Sequence, residues 1–199
     1  GVYDALRHNR KLLISPTASG KSLMIYSIVR YFVEKGKNTL IVVPTTSLVE
    51  QMYKDFADYG WDVGSFCHKI YAGKERETDS QVIITTWQSI YKLPRKYFER
   101  FSVVIGDEAH QFKSKSLISI MTKLHKAKHR FGFTGTLDGT QTHKWVLEGL
   151  FGPSYKIIKT DELMKKGHVA KLDINVLLLK HPASKLETFE DEVQYIINH

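Results

Sequence analysis

The sequence predicts an α/β fold in which a mostly parallel sheet is covered by helices on both faces. Short runs of β-branched and other apolar residues alternate with longer segments whose apolar residues recur at helical spacing. Two runs, 39–43 and 102–106, are apolar almost throughout, which is typical of strands buried on both faces. The 199 residues are 42% hydrophobic, which is enough to build one domain with a proper core.

The strand-then-helix unit repeats along the chain. The first predicted strand, 11–15, leads into a helix over 22–34 that ends near Gly36. Further strands are predicted at 39–43, 81–85, 102–106 and 130–134, and further helices at 47–59, 86–91 and 114–125.

The pattern changes after Gly152 and Pro153. A short helix is predicted over 160–166, with Thr160 as its N-cap, and a strand over 172–179. We therefore assign residues 1–167 to one α/β domain and residues 168–199 to a linker and the truncated start of a second domain.

The composition favours a basic protein of a reducing compartment. Lysine plus arginine outnumber aspartate plus glutamate by 29 to 21, giving a net charge of +8 that suits a polyanion such as nucleic acid. The excess gathers in residues 91–100 and 123–130, and either run alone fits a solvated face. The single Cys67 excludes an internal disulfide, and no apolar stretch is long enough to span a bilayer. We expect an inert core thiol, a cytoplasmic location and no membrane partner.

A phosphate-binding loop is predicted where the first strand meets the first helix. Such a turn directs backbone N–H groups and the positive end of a helix at one spot. We expect Lys21 to reach the β and γ phosphates and the Ser22 hydroxyl to ligate Mg²⁺. The match to G-x-x-x-x-G-K-[ST] is imperfect, because Ser15 stands at the first glycine position. The loop comprises Pro16, Thr17, Ala18, Ser19, Gly20, Lys21 and Ser22.

Two carboxylates follow the apolar strand over 102–106. The carboxyl ends of parallel strands share one edge of a sheet, so Asp107 and Glu108 are expected at the edge that carries the phosphate loop. Asp107 can hold Mg²⁺, while Glu108 is placed to orient and deprotonate the attacking water. The sequence therefore predicts a magnesium-dependent nucleotide hydrolase with Lys21, Asp107 and Glu108 in its catalytic site.

Five ordered segments resemble superfamily 2 helicases and translocases of the DEAH type, which include recombination and restriction-enzyme motors. The resemblance spans roughly residues 11–180 and implies a RecA-like P-loop NTPase domain, the first of two motor domains. It implies an ATP-dependent motor that unwinds or branch-migrates DNA, branched or single-stranded, in recombination and repair. The segments, which match motifs I, Ia, Ib, II and III in that order, are 15–22, 44–51, 85–89, 107–110 and 133–136.

The resemblance also implies two further sets of residues. His110, Thr134 and Thr136 relay between the nucleotide and the bound strand, and hydroxyls at the end of a neighbouring strand can bond the His110 ring. Trp87 can stack on a base, although its position between strand and helix is more typical of a core residue. Contacts to nucleic-acid phosphates are implied for residues that would equally serve as helix caps: Thr45, Thr46, Thr86, Gln88 and Ser89.

Two parts of the family pattern are not found in this sequence. One is an upstream motif whose glutamine reads adenine, so ATP is favoured by resemblance alone. The other is the second motor domain, which supplies an arginine finger, and Arg130 is not expected to replace it because it begins a strand. We therefore expect slow turnover from these residues alone.

Two alternative functions use the same fold. One is an RNA-directed helicase, which contacts to the 2′-hydroxyl would distinguish. The other is a non-catalytic nucleic-acid-binding module, against which the intact catalytic residues argue.

Overall fold

The computed structural model describes residues 1–16, 18–71, 78–111, 114–136, 141–167 and 188–198. Contacts divide the chain into two units, Gly1–Val169 and Ala170–His199, which are described separately. The described strands of the first unit are β1 (Arg10–Ile14), β2 (Thr39–Val43), β3 (Cys67–Ile70), β4 (Val82–Thr86), β5 (Val103–Gly106), β6 (His129–Thr134) and β7 (Ser154–Lys156).

The helices of the first unit connect these strands. A single turn of 3-10 helix over Ala109–Gln111 follows β5. The described α-helices are α1 (Val2–Arg7), α2 (Lys21–Glu34), α3 (Thr46–Asp58), α4 (Val63–Phe66), α5 (Trp87–Ile90), α6 (Arg95–Phe98), α7 (Ser114–Lys123), α8 (Gln141–Phe151) and α9 (Thr160–Lys165).

The strands form one seven-stranded sheet in the order β3-β4-β2-β5-β6-β1-β7, and every pair is parallel. Neighbouring residues of a strand point to opposite faces, so Leu13 and Ile41 enter one core while Leu12 and Leu40 enter the other. The first core contains residues of α1 to α4, and the second contains residues of α5 to α8. The predicted α/β class, with helices on both faces of a parallel sheet, is confirmed.

Each strand and helix predicted within residues 1–167 has a counterpart whose ends differ by at most two residues. The prediction that Thr160 caps the last helix is wrong, because Lys159 is the N-cap and Thr160 is the first helical residue. Several short or peripheral elements were not predicted: α1, α4, β3, α6, α8 and β7.

The second unit is described only over residues 188–198. It contains α10 (Phe189–Asn198), which was not predicted. Thr188 accepts a hydrogen bond from the Asp191 N–H at 3.2 Å and donates its hydroxyl to the Asp191 carboxylate at 2.6 Å, an arrangement similar to a capping box. The predicted strand over 172–179 lies outside the described residues. The division at residue 167 into motor domain and linker stays a prediction.

Candidate nucleotide-binding site

The predicted phosphate loop joins β1 to α2 at the carboxyl edge of the sheet. Because α2 is 14 residues long and begins at Lys21, the positive end of its dipole faces the loop. Its N-cap, Gly20, has a φ of 80°, and a Cβ atom there would meet nothing within 4 Å. Ala18 also has a positive φ, of 62°. The loop backbone is therefore open to close approach by a ligand, while Thr17 lies outside the described residues.

Ser15, at the first glycine position of the motif, uses its side chain within the loop. Its buried hydroxyl lies 2.5 Å from Ser19 Oγ, which donates to the Pro16 carbonyl oxygen at 2.5 Å. The Ser15 N–H donates to the Thr134 carbonyl oxygen at 2.9 Å and so ties the loop to the end of β6. Where the motif has glycine, this chain therefore has a serine whose hydroxyl and N–H form hydrogen bonds that stabilise the turn.

Asp107 and Glu108 follow β5 and lie at the same edge as the loop. The Lys21 ammonium donates to Glu108 Oε1 at 2.5 Å, and the Glu108 N–H donates to Asp107 Oδ1 at 2.9 Å. Glu108 has a φ of 48°, a conformation that costs a side-chain-bearing residue on the order of 1–3 kcal/mol and that clusters at functional sites. The ammonium and both carboxylates therefore converge on one place.

Asp107 is buried, with 8% of the residue exposed. Burial, and next the charge of Glu108, raise its pKa from 3.8 to about 6, against the opposing influence of Lys21 and of the Glu108 N–H. A cation beside Asp107 would favour the charged carboxylate, since opposite charge within a few ångströms lowers the pKa of an acid. The environment of Asp107 therefore suits a metal ion.

A cavity of about 300 Å³ opens at this edge. Its wall includes Asp55, which was not predicted as a site residue: Ser22 Oγ donates to Asp55 Oδ2 at 2.6 Å and lies 2.9 Å from the Tyr59 hydroxyl. Asp55 lies on α3, and it reaches Ser22 only because α3 packs beside α2, a contact that no local pattern in the sequence indicates. The lining comprises Ala18, Gly20, Lys21, Ser22, Leu48, Gln51, Met52, Asp55, Asp107 and Glu108.

His110 joins this cavity to the end of β6, as was expected from the hydroxyls there. Its Nδ1 lies 2.7 Å from Thr134 Oγ1 and 3.5 Å from Glu108 Oε2. The buried Thr134 hydroxyl also contacts the Thr136 carbonyl oxygen at 2.5 Å. A Cβ atom at Gly135 would lie 3.5 Å from Lys21 Nζ, so this turn packs directly on Lys21.

The residues expected to contact nucleic acid lie at or just after the ends of β2 and β4, which are neighbouring strands. Thr45 caps α3 by accepting the Leu48 N–H at 3.3 Å, and Thr46 is exposed beside it. The exposed Gln88 side chain donates to the Pro44 carbonyl oxygen at 3.3 Å and so links the two segments.

Thr86 and Ser89 bond to each other. Their hydroxyl oxygens lie 2.9 Å apart, and Thr86 is almost fully buried. Trp87 is half-buried and packs on the second core, with its ring centroid 5.9 Å from that of Tyr91. Of the residues expected to contact nucleic acid, Thr45, Thr46 and Gln88 are therefore the most accessible.

Arg130 does not face the cavity. Its side chain is 8% exposed, and the guanidinium donates to the Ala127 and Leu124 carbonyl oxygens at 3.1 and 2.9 Å. It stabilises the turn between α7 and β6. Among the described residues, no arginine lines the cavity.

The side chains around the cavity fit a magnesium–nucleotide complex. Magnesium uses one or two carboxylates together with phosphate and water oxygens, so it does not need a cage of protein ligands. Over the described residues no group of three or more His, Cys, Asp or Glu side chains forms such a cage.

Within the same residues, no helix is long and apolar enough to cross a membrane.

Two comparisons with known proteins identify the family of this chain. Residues 4–139 match the family model of the type III restriction enzyme res subunit. The ATP-dependent DNA helicase UvsW of enterobacteria phage T4 is 34% identical over 206 positions, which cover 98% of this chain and 41% of the phage protein. The chain thus spans about two fifths of the length of that relative.

Solved helicase structures share the fold of this chain. A crystal structure of the UvsW helicase from bacteriophage T4 matches with a TM-score of 0.71 at 34% identity, over 78% of this chain and 57% of the other. The Hef helicase domain of Pyrococcus furiosus, at 21% identity, shares the fold with a TM-score of 0.66 over 78% of this chain and 36% of its own. The chain belongs to the family of the type III restriction enzyme res subunit and is a first, RecA-like motor domain of the superfamily 2 helicases.

Proposed function

We propose that this chain binds and hydrolyses ATP with Mg²⁺ and that, together with a second motor domain, it drives translocation along DNA. The observation that carries the proposal is the convergence of Lys21, Ser22, Asp107 and Glu108 on one cavity at the carboxyl edge of the sheet. This edge is where open α/β sheets bind ligands, and the start of α2 supplies N–H groups suited to phosphate.

Each predicted site residue has a distinct task in this proposal. The loop from Pro16 to Ser22 cradles the phosphates, and Lys21 exchanges the Glu108 carboxylate for β and γ phosphate oxygens. The Ser22 hydroxyl and the Asp107 carboxylate hold Mg²⁺. When bound, Mg²⁺ neutralises charge on the phosphate oxygens.

Glu108 is the proposed general base. Its carboxylate lies in the cavity, and once Lys21 contacts phosphate it can accept a proton from the water that attacks the γ phosphorus. Its backbone is left-handed, and its side chain contacts Lys21. Positioning of this kind is most of what a protein contributes to phosphoryl transfer.

We propose that His110, Thr134 and Thr136 couple the nucleotide to the nucleic acid. One nitrogen of the His110 ring, Nδ1, lies near both the Glu108 carboxylate and the Thr134 hydroxyl, so a shift of Glu108 would change what this nitrogen contacts. The turn after β6 would pass this change to the segments after β2 and β4. There we expect Thr45, Thr46, Thr86, Gln88 and Ser89 to bond phosphate oxygens without reading sequence.

DNA is the proposed substrate, and branched or single-stranded DNA the proposed form. The name of the phage relative, an ATP-dependent DNA helicase, supports this choice and a role in recombination or repair. An RNA-directed motor and a non-catalytic binding module are the alternatives. The second of these is disfavoured because Lys21 and Glu108 lie in direct contact within the cavity.

The test is the ATPase rate of a protein that carries both motor domains, measured with single-stranded, duplex and branched DNA and with RNA of equal length. We expect stimulation by DNA above that by RNA, and loss of the rate in Lys21→Ala. Equal or greater stimulation by RNA would reject the DNA assignment. A rate that survives Lys21→Ala would reject the proposed site itself.

A further inference from the structure

The two basic runs of the sequence meet on one surface. The Lys123 ammonium donates to the Tyr91 and Leu93 carbonyl oxygens at 2.6 and 2.9 Å. Arg95 Nε donates to His125 Nδ1 at 3.1 Å. These contacts join the segment around α6 to the turn that follows α7, although the two are separated by more than 20 residues in the chain.

The two basic runs hold most of the net charge of the protein. Residues 91–100 and 123–130 contain eight of the 29 lysines and arginines but only one of the 21 acidic residues, so they account for seven of the net eight positive charges. The single acid, Glu99, binds Lys126 at 2.8 Å. The whole chain is therefore basic mainly because of these two runs.

Three of these eight cations form hydrogen bonds that stabilise the fold. Arg100 donates to the Thr78 carbonyl oxygen and, at 2.7 Å, to that of Ser80, while Lys123 and Arg130 likewise bond carbonyl oxygens. The other five reach the solvent, and we call them the basic edge: Lys92, Arg95, Lys96, Lys126 and Lys128.

The basic edge lies at the amino ends of the strands, opposite the cavity. α6 leads into the start of β5, and the turn after α7 leads into the start of β6. Lys128 itself immediately precedes β6. The residues expected to contact nucleic acid lie at the carboxyl ends of β2 and β4, at the other edge of the sheet, about 16 Å away along a five-residue strand.

A solvated face is the usual explanation for one run of lysines. It does not account for two such runs that meet and together carry most of the net charge. Like charges brought together repel one another, and their concentration here leaves the rest of the chain nearly neutral. A chain of regularly spaced phosphates relieves that repulsion by replacing condensed counterions with fixed cations. Flexible lysines suit such a partner because they make phosphate contacts as point charges.

We propose that the basic edge is a second nucleic-acid-binding surface, which holds the phosphate backbone of a duplex segment at the side of the motor domain opposite the nucleotide cavity. This rests on the proposed function only in that the motor acts on DNA. The surface contacts backbone and is independent of sequence. A branched substrate would offer such a segment in addition to the strand held by the residues after β2 and β4.

The test compares duplex DNA binding by the full chain and by Lys96→Glu with Lys128→Glu, over a range of salt concentrations. We expect weaker binding and a dependence of log affinity on log salt that is shallower by about two units, since each lost phosphate contact removes about 0.9. Both side chains are exposed, so the fold should be retained.

The matched control is Lys165→Glu with Lys166→Glu, which makes the same change in charge at two exposed residues at the end of α9. If the two variants bind DNA alike, the basic edge is not a DNA surface, and an acidic protein becomes the better partner. If the unchanged chain binds no DNA, the proposed function fails as well. The two failures are thereby distinguished.

A proximity measurement tests the proposal without relying on charge. Burial raises the pKa of the Cys67 thiol to about 12, so a photo-crosslinker can be attached selectively to a cysteine introduced by Lys96→Cys. We expect crosslinks to duplex DNA from position 96 and none from Lys165→Cys. Absence of crosslinks from position 96 would overturn the proposal.

Discussion

Joining this chain to the proposed second motor domain is expected to raise the ATPase rate by about 10³–10⁵-fold, the range that an arginine finger contributes in related phosphoryl-transfer systems. The physical reason lies in the cavity, whose only described cationic side chain is Lys21. Arg130 is committed to backbone carbonyl oxygens in the turn after α7. Charge that develops on the γ phosphate therefore needs a guanidinium from outside these residues.

Steady-state rates of the 199-residue chain and of a chain extended through the second domain measure this difference. A variant of the extended chain that lacks the candidate arginine of the second domain serves as the control and should turn over as slowly as the shorter chain. Comparable rates for the short and extended chains would show that the cavity already holds all the charge compensation it needs.

Glu108→Gln is expected to lower the hydrolysis rate by about 10²–10⁴-fold, the usual contribution of a general base. The amide has nearly the shape of the carboxylate but cannot accept the proton from water. It also ends the ion pair with Lys21, so the ammonium becomes more available to phosphate. Nucleotide affinity should therefore be retained or increased while turnover is lost.

Single-turnover hydrolysis and equilibrium nucleotide binding separate these two effects. Asp58→Asn, which removes one negative charge from an exposed position near the end of α3, should change neither. A Glu108→Gln protein that hydrolyses ATP at the original rate would remove Glu108 from the proposed chemistry.

The core of the fold was predictable because each central strand carries its own signal. Residues 39–43 and 103–106 are apolar on both sides, and only a strand covered on both faces by helices buries them. The edge strands give no such signal: β3 has half-exposed His68 and Lys69 between its buried ends, and β7 is three residues long. Their pairing depends on neighbours that are distant in sequence.

Some residues of the site were likewise predictable from the sequence, and others were not. Lys21 and Glu108 were predictable because each lies next to a strand whose end defines the ligand-binding edge. Asp55 was missed because its contact with Ser22 arises only when α3 packs against α2. The basic edge was missed for a related reason. Lys123 bonds the Tyr91 carbonyl oxygen and so joins the two basic runs, and neither run alone indicates this contact.

The most direct measurement is a crystal structure of this chain with Mg²⁺ and a non-hydrolysable ATP analogue. We predict the triphosphate at the start of α2, with Lys21 moved from Glu108 to phosphate oxygens and the Ser22 hydroxyl moved from Asp55 to the metal. An analogue bound elsewhere, with the Lys21–Glu108 and Ser22–Asp55 contacts unchanged, would contradict the proposed nucleotide site.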